Sequence, residues 1–205
     1  MRFTKMEGCG NDYIYINCFE EQVKHPERLA VRMSERHFGV GADGIVLILP
    51  SEKADFRMRI FNNDGSEAEM CGNAVRCIGK YVYERGLTEK TAVTLETMNG
   101  SIKILQLFVE NGVVEEVEAD MGSPIFAGPQ IPTMSQKMEV VEPLEAADRT
   151  FLCHCVSVGN PHCVIFLEED PFVFPVGKYG KILESHPFFP NRVNVEFAQV
   201  VDKNH

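Results

Sequence analysis

Hydrophobic and polar positions change period several times along the chain, and each change predicts an element. Phe56, Met58 and Ile60 alternate with Arg57 and Arg59, the period of a half-buried strand. Residues 13–17 read as a short strand with Ile14 and Ile16 on one face. Residues 45–49 are apolar throughout, as in a strand covered on both faces. Pro26 stands early in a helical stretch with Leu29, Met33 and His37 at four-residue spacing, and Gly39 or Gly41 stops it. A second helix opens at Cys71. Its apolar positions Ala74, Val75, Ile78, Tyr81 and Val82 recur every three or four residues, and Arg85-Gly86 closes it. A meander follows over residues 92–97, 102–108 and 113–119, with hairpin signals at Asn99-Gly100 and Asn111-Gly112.

Strands, one helix and then strands, without regular alternation, predict an α+β fold with mainly antiparallel pairing. Gly122, Pro124, Gly128, Pro129 and Pro132 break the pattern next, so we place a first domain at residues 1–118 and a second at residues 119–205. Strands are predicted again over residues 151–158, 163–167 and 193–200, and His186-Pro-Phe-Phe-Pro190 reads as a rigid loop. The second domain shows no long apolar helix of the Cys71 kind.

Composition narrows the function classes. The 205 residues are 44% hydrophobic, enough for a folded core. The net charge is −10, and no Lys/Arg block exceeds two residues, which argues against nucleic-acid and membrane-surface partners. The longest uniformly apolar run, Ile45 to Leu49, is far too short to span a bilayer. Seven cysteines, an odd number with no secretory leader before them, point to free thiols in a reducing cytoplasm.

The chemistry concentrates around Cys71. At a helix N-terminus the unpaired N–H groups and the helix dipole favour a thiolate, and the same N–H groups can hold a carboxylate. Base and anion anchor then lie side by side, as proton abstraction beside a carboxylate requires. Gly72 and Asn73 supply first-turn N–H groups, and the glycine permits close approach. Cys77 lies about 240° further round the helix and reads as core. Asn62 follows a strand and could address a zwitterion, since an amide both donates and accepts; it could also merely turn or cap. Gly8-Cys-Gly-Asn11-Asp12 and Gly39-Val-Gly-Ala-Asp-Gly44 are loops that match no phosphate-binding fingerprint. Asn160, in Gly159-Asn-Pro-His162, and Asn194 are further candidate ligand contacts. Cys153, Cys155 and Cys163 are explained more simply by alternate apolar strand positions than by a metal site.

These motifs together resemble the diaminopimelate epimerase family. The resemblance rests on Phe3-x-Lys5 with Gly8-x-Gly10-Asn11-Asp12, on Gly41-Ala-Asp-Gly44, and above all on Arg59-Ile-Phe-Asn62-x-Asp-Gly-Ser-Glu67 with Met70-Cys71-Gly-Asn73 and Arg76-Cys77. Val158-Gly-Asn160-Pro-His162 and Phe189-Pro190 with Asn194-Val195 complete it. It implies two pseudo-symmetric domains, each a curved, mainly antiparallel sheet around a central helix, with the active site in the cleft between them. It implies an isomerase without cofactor or metal that converts LL-2,6-diaminopimelate to the meso form in lysine and peptidoglycan precursor biosynthesis. Cys71 would be one catalytic thiol; Gly72 and Asn73 would help bind the reacting carboxylate; Asn11, Asn62, Asn160 and Asn194 would contact the substrate, with Asn62 and Asn194 reading its distant amino-acid end. The partner is thus a small amino acid, and a homodimer is left open. The family's second helix-opening cysteine has no counterpart before residue 205. The expectation is therefore an incomplete second domain without its central helix, and no epimerisation by these residues alone. The competing readings are another racemase or isomerase of the same fold, or a non-catalytic binding relative.

Overall fold

The computed structural model describes residues 1–203, which divide into two units, Met1–Met121 and Gly122 onward. The first unit contains strands β1 (Thr4–Gly8), β2 (Asn11–Asn17), β3 (Gly44–Leu49), β4 (Phe56–Asn62), β5 (Glu67–Ala68), β6 (Ala92–Glu96), β7 (Ile102–Glu110) and β8 (Val113–Ala119), with helices α1 (Pro26–Ser34) and α2 (Gly72–Glu84). The strands form one sheet in the order β1-β2-β3-β4-β6-β7-β8, with β5 on β4. Pairing is antiparallel except at β2–β3 and β4–β6, where the chain makes crossovers.

Helix α2 packs on β1 and β2 near one end of the sheet and on β7 and β8 at the other. A flat sheet could not reach one helix from both ends, so the sheet curls around it. The reason lies in the sequence of α2, whose Ala74, Val75, Cys77, Ile78, Gly79, Tyr81 and Val82 are all buried. A helix apolar over most of its circumference needs cover on several sides. Tyr13, Tyr15, Val46, Met58, Leu95 and Leu105 provide it from the concave face. The convex face of β2, β3 and β4 carries Ile14, Ile16, Ile45, Leu47 and Phe61, which pack with Ala30 of α1. The strands between α1 and α2 are therefore apolar on both faces.

Helix α1 ends at Ser34, short of the predicted run to His37. The N–H groups of Val40 and Gly41 both bond to the Met33 carbonyl, and Gly41 adopts φ +78°, so the chain turns back before His37 can join. His37 is exposed. A Cβ on Gly39 would lie 2.5 Å from the Arg32 carbonyl oxygen, so the turn is closed by glycine.

The second unit holds β9 (Val140–Ala146), β10 (Arg149–Ser157), β11 (Pro161–Phe166), α3 (Val176–Glu184) and β12 (Asn194–Ala198). The sheet runs β12-β11-β10-β9, with β11–β12 parallel. One face is closed by Phe174, by Tyr179 and Leu183 of α3, and by Phe189, against Phe151, Cys153, Cys155, Cys163 and Ile165. The sequence reading missed α3 because Gly177 and Gly180 weaken its helical signal; it also missed β1, β5 and β9. Tertiary packing stabilises α3, with Phe174 stacked on Tyr179 at a 5.3 Å ring separation. Among the described residues no helix is long and apolar enough to cross a membrane.

Candidate active site

Three local structures bring the candidate residues of the first unit together. The β1–β2 hairpin turns through Cys9 and Gly10, at φ +50° and +87°, and delivers Asn11 directly after the turn. The loop before β3 delivers Asp43. The β4–β5 turn and β5 lead the chain to the start of α2. Arg59 grips Glu67 with two bonds of 2.7 and 2.8 Å and lies over the Phe61 ring, which pins β5 to β4 just before Cys71. That fork also holds the Glu67 carboxyl below its ordinary range.

Cys71 is the N-cap of α2, extended at φ −141° and ψ 113°, with its carbonyl accepting the Val75 N–H at 3.0 Å. Its side chain makes no capping hydrogen bond and is half-buried against the α2 core. The next N–H groups precede any intrahelical acceptor. A Cβ on Gly72 would lie 3.3 Å from the Met121 methyl, so glycine lets the backbone pass close under that side chain. Tyr13, buried on the concave face, lies beside Cys71. Burial first and the Cys71 thiol second push the Tyr13 phenol above its ordinary range, which keeps it protonated at neutral pH. Cys77 is buried and within 3.6 Å of the Glu7 carbonyl, and burial raises its thiol as well.

The Asn73 amide donates to the Asn11 Oδ1 at 2.8 Å, and Asn73 Oδ1 accepts from Arg76. Asn11 in turn donates to an Asp43 carboxylate oxygen at 3.3 Å. The Asp43 carbonyl accepts the Asn63 N–H at 2.9 Å, which ties this network to the β4–β5 turn carrying Asn62. Asn62 donates its own amide to Ser66 at 3.0 Å. Asn11, Asn62, Gly72, Asn73 and Cys71 therefore belong to one connected set of turns and a helix start.

In the second unit, Asn160 lies in the β10–β11 turn after Gly159 at φ +108°. Asn194 opens β12 opposite His162 and donates to the Pro161 carbonyl at 3.0 Å. The Pro161 carbonyl that Asn194 grips directly follows Asn160 in the chain. His162 sits beside them, 2.7 Å from Glu196. Cys153, Cys155 and Cys163 are at most 2% exposed in the core of this unit. Among the described residues no group of three His, Cys, Asp or Glu side chains is arranged to hold a metal ion.

Sequence reasoning did not single out Asp43, Arg76 or Tyr13. Asp43 had a weak signal, an acid between small residues in a glycine loop. Arg76 stands one helical turn after Asn73, the spacing at which side chains meet. Tyr13 gave no sign of reaching Cys71, because strand periodicity shows only which face a residue is on.

A sheet curled about one helix, with a cysteine opening that helix, places the first unit in a recognisable class. The crystal structure of a "probable proline racemase" from Agrobacterium radiobacter K84 with bound carbonate superposes with a TM-score of 0.69 at 16% identity, covering 98% of this chain and 67% of that one. A Bacillus anthracis phenazine biosynthesis protein of the PhzF family gives a TM-score of 0.54 at 21% identity, over 98% and 67% of the two chains. The fold class is thus that of the racemase and PhzF-type α+β proteins. Within it the sequence is more specific. Residues 3–127 match the profile of diaminopimelate epimerase. The diaminopimelate epimerase of Acetivibrio thermocellus is 54% identical over 99% of this chain and 72% of its own length, and that of Methanococcus maripaludis strain S2 is 49% identical over 100% and 73%. The chain belongs to the diaminopimelate epimerase family.

Proposed function

We propose that this protein epimerises diaminopimelate, converting the LL form to the meso form by moving a proton at the α-carbon, and that it serves lysine and peptidoglycan precursor biosynthesis in the cytoplasm. The single observation that carries this reading is Cys71 at the N-cap of α2, within a chain that aligns almost end to end with diaminopimelate epimerases at about half identity. An α-proton beside a carboxylate is weakly acidic, so the site must stabilise charge as it develops on the carboxylate. First-turn N–H groups of α2, from Gly72 and Asn73, suit that task without reorganisation. The Cys71 sulfur, left free by the cap geometry, takes or gives the proton on one face of the substrate. Inversion needs a second acid on the opposite face. Cys153, Cys155 and Cys163 are too deeply buried to deliver it, so that acid is a different group.

In this reading Asn11 and Asn73 hold the reacting carboxylate and Asn62 addresses the distant amino-acid end. The assay is LL to meso conversion by the whole protein after exhaustive chelation and with a carbonyl reagent present. Conversion that survives both treatments and disappears in Cys71→Ala is the expected result. Activity restored only by added metal or pyridoxal phosphate sinks the mechanism.

A further inference from the structure

The two amides nearest α2 lie in a row between opposite charges. Asp43 stands at one end, Arg76 at the other, and Asn11 and Asn73 between them. A carboxylate can only accept, so the Asn11 atom facing Asp43 is its NH2 group. A guanidinium can only donate, so the Asn73 atom facing Arg76 is its oxygen. With both ends settled, the contact between the amides has one solution, Asn73 N–H to Asn11 oxygen. All three bonds point the same way, and neither amide can rotate by half a turn without placing oxygen against oxygen or N–H against N–H.

We propose that Asp43 and Arg76 are positioning residues that lock the Asn11 and Asn73 amides with one N–H of each left free for the substrate carboxylate. The proposal rests on the epimerase reading for the identity of that carboxylate. A flipped Asn73 would set a carbonyl oxygen there instead and repel an anion. The backbone supports the lock. The Asp43 N–H bonds to the Asp12 carbonyl at 2.8 Å, the Asp12 N–H bonds to the Asp43 carboxylate at 3.2 Å, and Arg36 holds the other Asp43 oxygen at 3.0 Å. Arg76 is steadied by the Cys9 sulfur, 3.3 Å away.

The test uses the whole protein labelled with nitrogen-15, with the two side-chain amides assigned by their loss in Asn11→Asp and Asn73→Asp. In the wild type each amide should show one hydrogen-bonded, slowly exchanging proton. Asp43→Asn can donate as well as accept, so both amides should lose that asymmetry. Arg76→Met should release Asn73, and Arg76→Lys, which still only donates, should retain the wild-type pattern. In parallel, KM for LL-diaminopimelate should rise about tenfold in Asp43→Asn and Arg76→Met, the effect of a lost hydrogen bond to a charged group, with a smaller change in kcat and recovery in Arg76→Lys. If Asp43→Asn does not fold, the Arg76 pair decides alone. Amide signals that ignore these substitutions, or signals that move while KM does not, overturn the proposal. Ordered amides in a wild-type protein that leaves LL-diaminopimelate unchanged would instead overturn the epimerase reading and leave the lock standing.

Discussion

Cys71 occupies a position where serine, threonine or aspartate would be the stabilising choice, and its sulfur makes no cap bond. The site therefore trades helix stability for a free thiol. Cys71→Ser should stabilise the fold by up to about 1 kcal/mol, because a hydroxyl caps the first turn, and should abolish epimerisation. Urea unfolding and the LL-to-meso assay on the same preparation check this; a destabilised or still active variant counts against it. Asp12 makes a second residue-level prediction. Hydrogen bonds from Arg36 and Lys5 lower its carboxyl from the ordinary 3.8 to about 2. A depressed pKa gives stability that is present above the unfolded value and lost as pH falls through the folded one. The contribution should fade between about pH 4 and pH 2, and Asp12→Asn should flatten that part of a stability–pH curve. An unchanged acid limb would show that this pairing does not matter to folding.

At the scale of elements, the positions of Asp43 and Asn62 depend on how closely β3 and β4 approach. A Cβ on Gly44 would lie 2.2 Å from the Phe61 carbonyl oxygen, and backbone cannot yield as a side-chain tip can. Gly44→Ala should cost about 1–3 kcal/mol by forcing the strands apart. It should also raise KM, because Asp43 and Asn62 flank the displaced pair. A variant with wild-type stability and KM would show that the pair has slack. The elements themselves were legible where periodicity was strong. The alternation of Phe56, Met58 and Ile60 gives β4, and the apolar face of residues 74–82 gives α2. The meander emerged as β6, β7 and β8, with Asn111 and Gly112 both at positive φ in the last turn. The end of α1 and the whole of α3 were not legible. A glycine turn back onto Met33 decides the first, and a cluster of aromatic rings from Phe151, Phe174, Tyr179 and Phe197, which are distant in sequence, decides the second.

At the scale of the molecule, the core of the first unit is drawn wholly from residues 1–121. Those residues expressed alone should unfold cooperatively on heating, with slow amide exchange in α2 and β3. A non-cooperative transition would mean that this core needs more of the protein.

The sequence alone determined what local rules can carry. A cysteine followed by glycine and asparagine opens a helix, an asparagine follows an alternating strand, and the order of strands and helix predicts an α+β fold, because each depends on neighbours a few residues apart. The motifs also carried the family, since their order along the chain is itself one-dimensional information. The tertiary structure alone decided which polar groups meet. Asp43 reaches Asn11 across 32 residues and Asn73 reaches Asn11 across 62, and no local pattern reports such distances. The curl of the sheet around α2 brings these turns to one end of the helix. Only there does an aspartate in a glycine loop become the fixed end of a row of amides.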